Sequence, residues 1–164
     1  MTPPLVSILT INYNEADTTA RCLDSLRSVV YPRMERIVID NGSEPGQAEW
    51  LQQRFPEATV IANPTNDGFA GGNNVGLAHA SGDYILLLNN DARATPNLLW
   101  PLVDAMQEHP DVGIVSPKIV FAGTEDADGH AQIQYAGSDP LNPYTGRSRT
   151  VGYGERDDGR FDTA

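Results

Sequence analysis

Short blocks of branched apolar residues recur through the first two thirds of the chain. Between them lie longer stretches in which apolar positions return every three or four residues. Leu5 to Ile11, Arg36 to Ile39, Ala58 to Ala62, Tyr84 to Leu88 and Val112 to Val115 have the length and continuity of buried strands. Between the first two, Ala16 to Val29 reads as a helix with Thr19, Leu23, Leu26 and Val30 on one face. Asn14 stands where an N-cap would, and Asp17 places negative charge in the first turn. Gln47 to Arg54 and Asn74 to Ala80 read as shorter helices. Thr95-Pro96 supplies a cap followed by proline at the first helical position, for a helix that runs to about Glu108 and stops at His109-Pro110. Strands alternating with helices predict parallel strands joined by right-handed crossovers, an α/β fold with a mostly parallel sheet flanked by helices.

The polar residues that follow each strand carry the functional argument. Asn12-Tyr13-Asn14 follows the first, Asp40-Asn41-Gly42-Ser43 the second, Asn63 to Gly68 the third and Asn89-Asn90-Asp91 the fourth. In an open parallel sheet the carboxyl ends of the strands share one edge, and ligands bind in the crevice there. Turn chemistry alone accounts for any one such segment; four together favour a ligand rim. Asn89-Asn90-Asp91 brings one carboxylate flanked by amides, which suits a hard divalent cation that completes its shell with water and phosphate. The alternative is a solvated carboxylate at a strand end. Gly68 to Gly76 is glycine-rich and opens a helix, so its backbone N–H groups could meet phosphate. It matches neither the dinucleotide fingerprint nor the G-x-x-x-x-G-K-[ST] phosphate loop, and a flexible connector explains it equally well. Tyr13 is placed either to stack on a base or to pack half-buried. Asp40 is placed to accept a base N–H or to cap a turn.

Charge narrows the ligand. The chain has 164 residues, with 22 Asp+Glu against 11 Lys+Arg and a net charge of −11. No basic stripe exists for phosphate neutralisation, so nucleic acid is not an expected partner. An anionic ligand would need a cation to bridge it to so acidic a chain. The longest apolar run, Tyr84 to Leu88, is far too short to span a membrane, and the start Met1-Thr2-Pro3-Pro4 lacks the features of a signal peptide. With a single cysteine, Cys22, which reads as core rather than nucleophile, the expectation is a soluble cytoplasmic domain. Composition changes near residue 121. Residues 122–164 hold seven of the 15 glycines and few branched aliphatics, and read as a Gly/Asp-rich segment beyond an α/β domain of residues 1–121.

In order, these motifs resemble the family 2 glycosyltransferases. The resemblance rests on Val6 to Asn14, Ile37 to Ser43, Asn66 to Gly76 and Leu87 to Ala92, and covers about residues 5–121. It implies the GT-A fold, a Rossmann-like α/β sandwich. Asn89-Asn90-Asp91-Ala92 together with the Gly-Phe-Ala-Gly-Gly-Asn-Asn segment looks most like the rhamnosyltransferase-type branch that builds bacterial cell-surface polysaccharides. Residue by residue, the resemblance puts Ile11 and Tyr13 at the base pocket and Asp40 on the pyrimidine ring. Asn73 and Asn74 fall near the ribose and diphosphate. Asn90 takes the first acidic place of the DXD-like motif and Asp91 its metal-binding last carboxylate, for Mg²⁺ or Mn²⁺. Asparagine at 89 and 90 departs from the strict motif, so the cation is expected to arrive largely with its nucleotide.

The implied reaction is metal-dependent, inverting transfer of a sugar from a nucleoside diphosphate sugar to a hydroxyl of a glycan or lipid-linked acceptor. Thymidine diphosphate rhamnose leads as donor, and uridine diphosphate sugars remain open. Any membrane association is expected to be peripheral, at the inner face. The general base is not identified: Glu155, Asp157, Asp158 and Asp162 lie in the right half, but in a Gly- and Arg-rich context unlike the family's. The chain therefore reads as the donor-binding part, with the acceptor-binding half to follow. A non-catalytic nucleotide-sugar-binding module is the alternative. A sugar-phosphate nucleotidyltransferase is disfavoured, because Asn12-Tyr13-Asn14-Glu15 lacks the Gly-rich basic loop that would hold a triphosphate.

Overall fold

The computed structural model describes residues 2–162, which form two compact units divided between Val103 and Asp104. In the first unit β1 (Val6–Asn12), α1 (Ala16–Leu26), β2 (Met34–Asn41), α2 (Gln47–Arg54), β3 (Ala58–Asn63), α3 (Gly68–Leu77) and β4 (Tyr84–Leu87) follow one another, and α4 (Leu99–Glu108) begins there. The sheet is parallel throughout, in the order β3-β2-β1-β4. Its register aligns Asn12 of β1 with Asp40 of β2, and Asn41 of β2 with Asn63 of β3, so the polar strand ends share one edge.

Alternation along the strands sorts the core into two layers. Val6, Ile8 and Val38 face Leu23 and Leu26 of α1, Leu51 and Phe55 of the second helical segment, and Leu99 and Val103 of α4. Leu9, Ile37 and Ile39 face the other way, with Val75 of α3 packed on them. Full burial of each such side chain stabilises the fold by about 1.5–3 kcal/mol relative to exposure.

Helix α3 starts six residues earlier than the sequence pattern predicts. The glycine-rich segment is helix, and the reason is close approach. At Gly72 a Cβ would lie 3.0 Å from Ile11 Cδ1, and at Gly76 only 2.6 Å from Ile39 Cδ1. These two glycines, one turn apart, form the flat stripe on which α3 meets the sheet.

Other expectations are corrected. Val112 to Val115 is irregular backbone, with Ile114 89% exposed, and no strand among the described residues pairs with it to supply ladder bonds. Helix α1 ends at Leu26. The next three N–H groups bond i−3 carbonyls, so Val29 is buried while Val30 is 67% exposed. Regular α4 begins at Leu99 rather than at Thr95-Pro96. A helix running from residue 95 would make Pro101 an interior position, where it lacks the N–H and clashes; starting at Leu99 puts it in the first turn, where no N–H is needed. Asn14 does not cap α1. It adopts a left-handed φ of 55°, and its Oδ1 accepts from Glu44 N at 2.8 Å, tying the β1–α1 loop to the β2–α2 loop.

The second unit, from Asp104 onward, contains β5 (Ile119–Val120) paired antiparallel with β6 (Ile133–Tyr135) around fully buried Ile133. Phe121 and Tyr153 meet edge to face at 5.9 Å. Lys118 bridges Asp157, at 2.7 Å, and Asp162, while Arg156 holds Asp126 and Asp128. The Gly/Asp-rich segment is thus ordered by turns and ion pairs around a small core.

Candidate functional site

A cavity of about 390 Å³ opens at the carboxyl edge of the parallel sheet. Ile11, Tyr13 and Glu15 wall it from β1 and the loop after it, and Asn41 from β2. Asn66, Gly68, Phe69 and Asn73 come from the β3–α3 segment, and Leu88, Asn89 and Asn90 follow β4. Two aromatic rings stand exposed at the cavity, Tyr13 at 48% and Phe69 at 62%. The side chain of Asp67, the residue before α3, turns back to accept from Asn63 and Thr65, at 2.9 Å each, and makes no cap. Those hydrogen bonds hold its carboxyl below the usual range. The N-terminal turn of α3, with Gly68 and Phe69 on the cavity wall, is instead held by Asn66, whose Oδ1 accepts from Gly68 N at 2.9 Å.

Of the residues expected from the sequence, Ile11, Tyr13, Asn73 and Asn90 line this cavity. Asp40, Asn74 and Asp91 do not. Along β2 successive side chains point to opposite faces, so Asn41 reaches the cavity side while Asp40 turns toward the α1–α2 side. There Asp40 is 6% exposed, and its Oδ1 accepts from Asn12 Nδ2 at 2.7 Å and from the Ser43 hydroxyl. Asn73 is buried with its Nδ2 on the Phe69 carbonyl, whereas Asn74, one position further round the helix, is exposed. Asp91 is exposed, within a turn closed by Ala92 N on the Asn89 carbonyl. Burial, helped by the charge of Asp91, pushes the Cys22 thiol up to about 11, and Cys22 Sγ donates to the Asn89 carbonyl at 3.6 Å.

Asn41 is the site residue that motif reading passed over. Its Nδ2 donates to Asn66 Oδ1 at 3.0 Å and to the Gly68 carbonyl at 3.2 Å, and its Oδ1 accepts from Asn63 Nδ2 at 2.9 Å. It fastens the whole β3–α3 loop to β2. Its signal in the sequence is alternation: beside an Asp that faces one side of the sheet, the next residue must face the other. Phe69 was legible only as a member of a glycine-rich run.

For a divalent cation the chain offers the Asp91 carboxylate and the amide oxygens of Asn89 and Asn90. Among the described residues no three His, Cys, Asp or Glu side chains converge as a metal-binding group. One carboxylate with amides fits a Mg²⁺- or Mn²⁺-type ion that takes its other ligands from water and phosphate. Four acids of the second unit are ion-paired within it: Asp157 and Asp162 with Lys118, Glu155 and Asp158 with Arg160. No helix among the described residues is long and apolar enough to cross a membrane.

The sequence model described as Glycosyl transferase family 2 matches residues 7–160. Among curated proteins, glycosyltransferase AglE of Haloferax volcanii is 30% identical over 104 residues, covering 60% of this chain and 34% of the relative. Poly-beta-1,6-N-acetyl-D-glucosamine synthase of Staphylococcus epidermidis is 27% identical over 134 residues, covering 80% and 32%. The chain spans about a third to two fifths of the length of the curated relatives it matches first. Among solved structures, the mannosyltransferase PcManGT of Pyrobaculum calidifontis, in complex with GDP-Man and Mn²⁺, superposes with a TM-score of 0.53 at 25% identity, over 72% of this chain and 34% of that one. S. aureus TarS 1–349 superposes with a TM-score of 0.58 at 22% identity, over 73% and 40%. The parallel sheet flanked by helices is that of the GT-A glycosyltransferases.

Proposed function

The chain belongs to glycosyl transferase family 2, and on that footing we propose that its first unit binds a nucleoside diphosphate sugar for inverting transfer to an acceptor hydroxyl. The observation that carries this reading is the cavity itself, with aromatic rings and amides on its walls and the start of α3 at its side. Tyr13 offers a face for the base, and Ile11 an apolar wall. Asn73 and Asn90 offer amides to ribose and diphosphate, and the α3 N-terminus offers N–H groups and a positive dipole end to phosphate. Asp40 and Asn74 stand off the cavity wall and are not among these contacts. Asp91, with Asn89 and Asn90, would hold the Mg²⁺ or Mn²⁺ ion, which supplies charge stabilisation to the departing diphosphate. A mannosyltransferase of similar fold binds GDP-Man with Mn²⁺, which supports a metal–nucleotide pairing.

By motif resemblance, the donor proposed first is thymidine diphosphate rhamnose, then uridine diphosphate sugars, with a glycan or lipid-linked acceptor in cell-surface polysaccharide synthesis. Work at a lipid-linked acceptor would bring the protein to the inner face of the membrane peripherally. One observation favours a second reading, a non-catalytic nucleotide-sugar-binding module: Glu155, Asp157, Asp158 and Asp162 are each ion-paired rather than free to take an acceptor proton.

Calorimetric titration with thymidine, uridine and guanosine diphosphates, with Mn²⁺ and again with chelator, tests the proposal. Metal-dependent binding is expected. Absence of binding under every condition refutes it, and binding without sugar transfer selects the module.

A further inference from the structure

A chain of hydrogen bonds, buried at Asn12 and Thr19, runs from Asp40 to Asn90. Asn12 is fully buried. Its Nδ2 donates to Asp40 Oδ1 at 2.7 Å, and its Oδ1 accepts from Thr19 Oγ1 at 2.7 Å. Thr19, fully buried on α1, in turn accepts at Oγ1 from Asn90 Nδ2 at 3.2 Å. Only Asn90 of these four residues lines the cavity.

The polarity of this chain is set at its Asp40 end, where Asn12 Nδ2 also donates to Ser43 Oγ and Gln47 Oε1 at 3.1 Å each. An ionised carboxylate can only accept, so Asn12 must present its NH₂ to Asp40 and its oxygen to Thr19. The single Thr19 proton is then spent on Asn12, and Thr19 can only accept from the other side. Asn90 must therefore turn its NH₂ inward, which leaves its Oδ1 for the cavity. An amide has no intrinsic preference between its two ends, and a flipped Asn90 would aim NH₂ at any cation held beside Asp91.

We propose that Asp40 is a positioning residue which, through Asn12 and Thr19, fixes the Asn90 amide with its oxygen toward the ligand. The proposal rests on the reading that the cavity takes a nucleoside diphosphate with a divalent cation. It differs from a direct contact of Asp40 with the base. Asn90 Oδ1 then accepts a ribose hydroxyl or meets the cation, and Asp40 touches neither.

The test is titration of wild type, Thr19→Val, Thr19→Ser and Asp40→Asn with uridine, thymidine and guanosine diphosphates plus Mn²⁺. Thr19→Val removes the hydroxyl at nearly constant shape, and Asp40→Asn removes the acceptor-only end. Both are expected to lose about tenfold in affinity, the scale of one hydrogen bond to a ligand. Their ranking of the three bases should match wild type, and Thr19→Ser should restore binding. Asp40→Asn re-ranking the bases while Thr19→Val binds as wild type overturns the proposal in favour of direct base contact. Both variants binding as wild type with only a lowered melting temperature reduces the relay to a structural one and also overturns it. A wild-type chain that binds no nucleoside diphosphate removes the underlying reading instead. Should Thr19→Val fail to fold, wild type carries the test by NMR. The Asn12 and Asn90 side-chain amide protons should exchange slowly, and exchange at Asn90 as fast as in an exposed asparagine overturns the relay.

Discussion

Gly76→Ala tests the seating of α3, the helix that brings Gly68, Phe69 and Asn73 to the cavity. In an isolated helix this change is stabilising by about 0.8–1.0 kcal/mol, because alanine is the better helix former. Here the added methyl would sit 2.6 Å from Ile39 Cδ1 and 2.9 Å from Leu9 Cδ2, against ordinary contacts of 3.4–4 Å. Those methyls must retreat by most of an ångström. They have nowhere to go, since Ile39 is 0% exposed and Leu9 1%. Overpacking of a tight core costs about 1–3 kcal/mol. The balance is a net loss of about 1 kcal/mol, or a fall of about 4–8 °C in Tm for a unit near 100 residues. Urea unfolding followed by far-UV circular dichroism measures it, with Asn74→Ala on the exposed face of α3 as a control expected to be neutral or stabilising. A Gly76→Ala chain as stable as wild type would refute the reasoning. It would mean that α3 does not lie on the sheet at this distance, and the cavity wall it supplies would be misplaced with it.

Three further outcomes follow from the site. Asp91→Ala should abolish the metal-dependent part of nucleoside diphosphate binding, since the strand-end motif then has no carboxylate; unchanged titrations with Mn²⁺ and with chelator would remove Asp91 from the metal site. Tyr13→Ala should weaken nucleoside binding by about 1–3 kcal/mol, the range for loss of one base–aromatic stack, whereas equal affinity would make Tyr13 a bystander at the rim. The buried Cys22 thiol has its pKa raised from 9.0 to about 11, so the folded state retains a proton that the unfolded state loses first. Its contribution is complete below pH 9.0 and fades as pH rises toward about 11. The urea midpoint of wild type should therefore fall more steeply across that window than that of Cys22→Ala, and parallel slopes would contradict it.

Local pattern alone reached the α/β class, the parallel strands and the rim of polar strand ends. Burial of a strand on both faces demands a continuous apolar run, and a strand end in this fold must turn, so both leave marks on consecutive residues. Leu5 to Ile11 and Asn89-Asn90-Asp91 were legible for that reason. What escaped depends on what lies across from a residue. Val112 to Val115 has the composition of a strand, but a strand exists only where a neighbour pairs with it. The glycine-rich run looks like a connector until Leu9 and Ile39 stand opposite Gly76. Asn14 looks like a cap until the β2–α2 loop offers it Glu44 N.

Asp40 shows the same limit at the site. Its motif, Asp-Asn-Gly-Ser, could be read in one dimension as ligand-facing. The side of the sheet on which each of these side chains falls, and the partner it meets there, were set by the pairing of β1 with β2 and by α1 lying beneath them. Sequence by itself determined the four parallel strands, the helix after the first of them and the edge that carries the polar residues, because periodicity and turn chemistry act over a few neighbouring positions. Tertiary structure alone decided that Asn41 rather than Asp40 walls the cavity, and that Asn12 and Thr19 link Asp40 to Asn90. Those are contacts between residues 7 to 71 positions apart, and only the packed sheet brings them within hydrogen-bond distance.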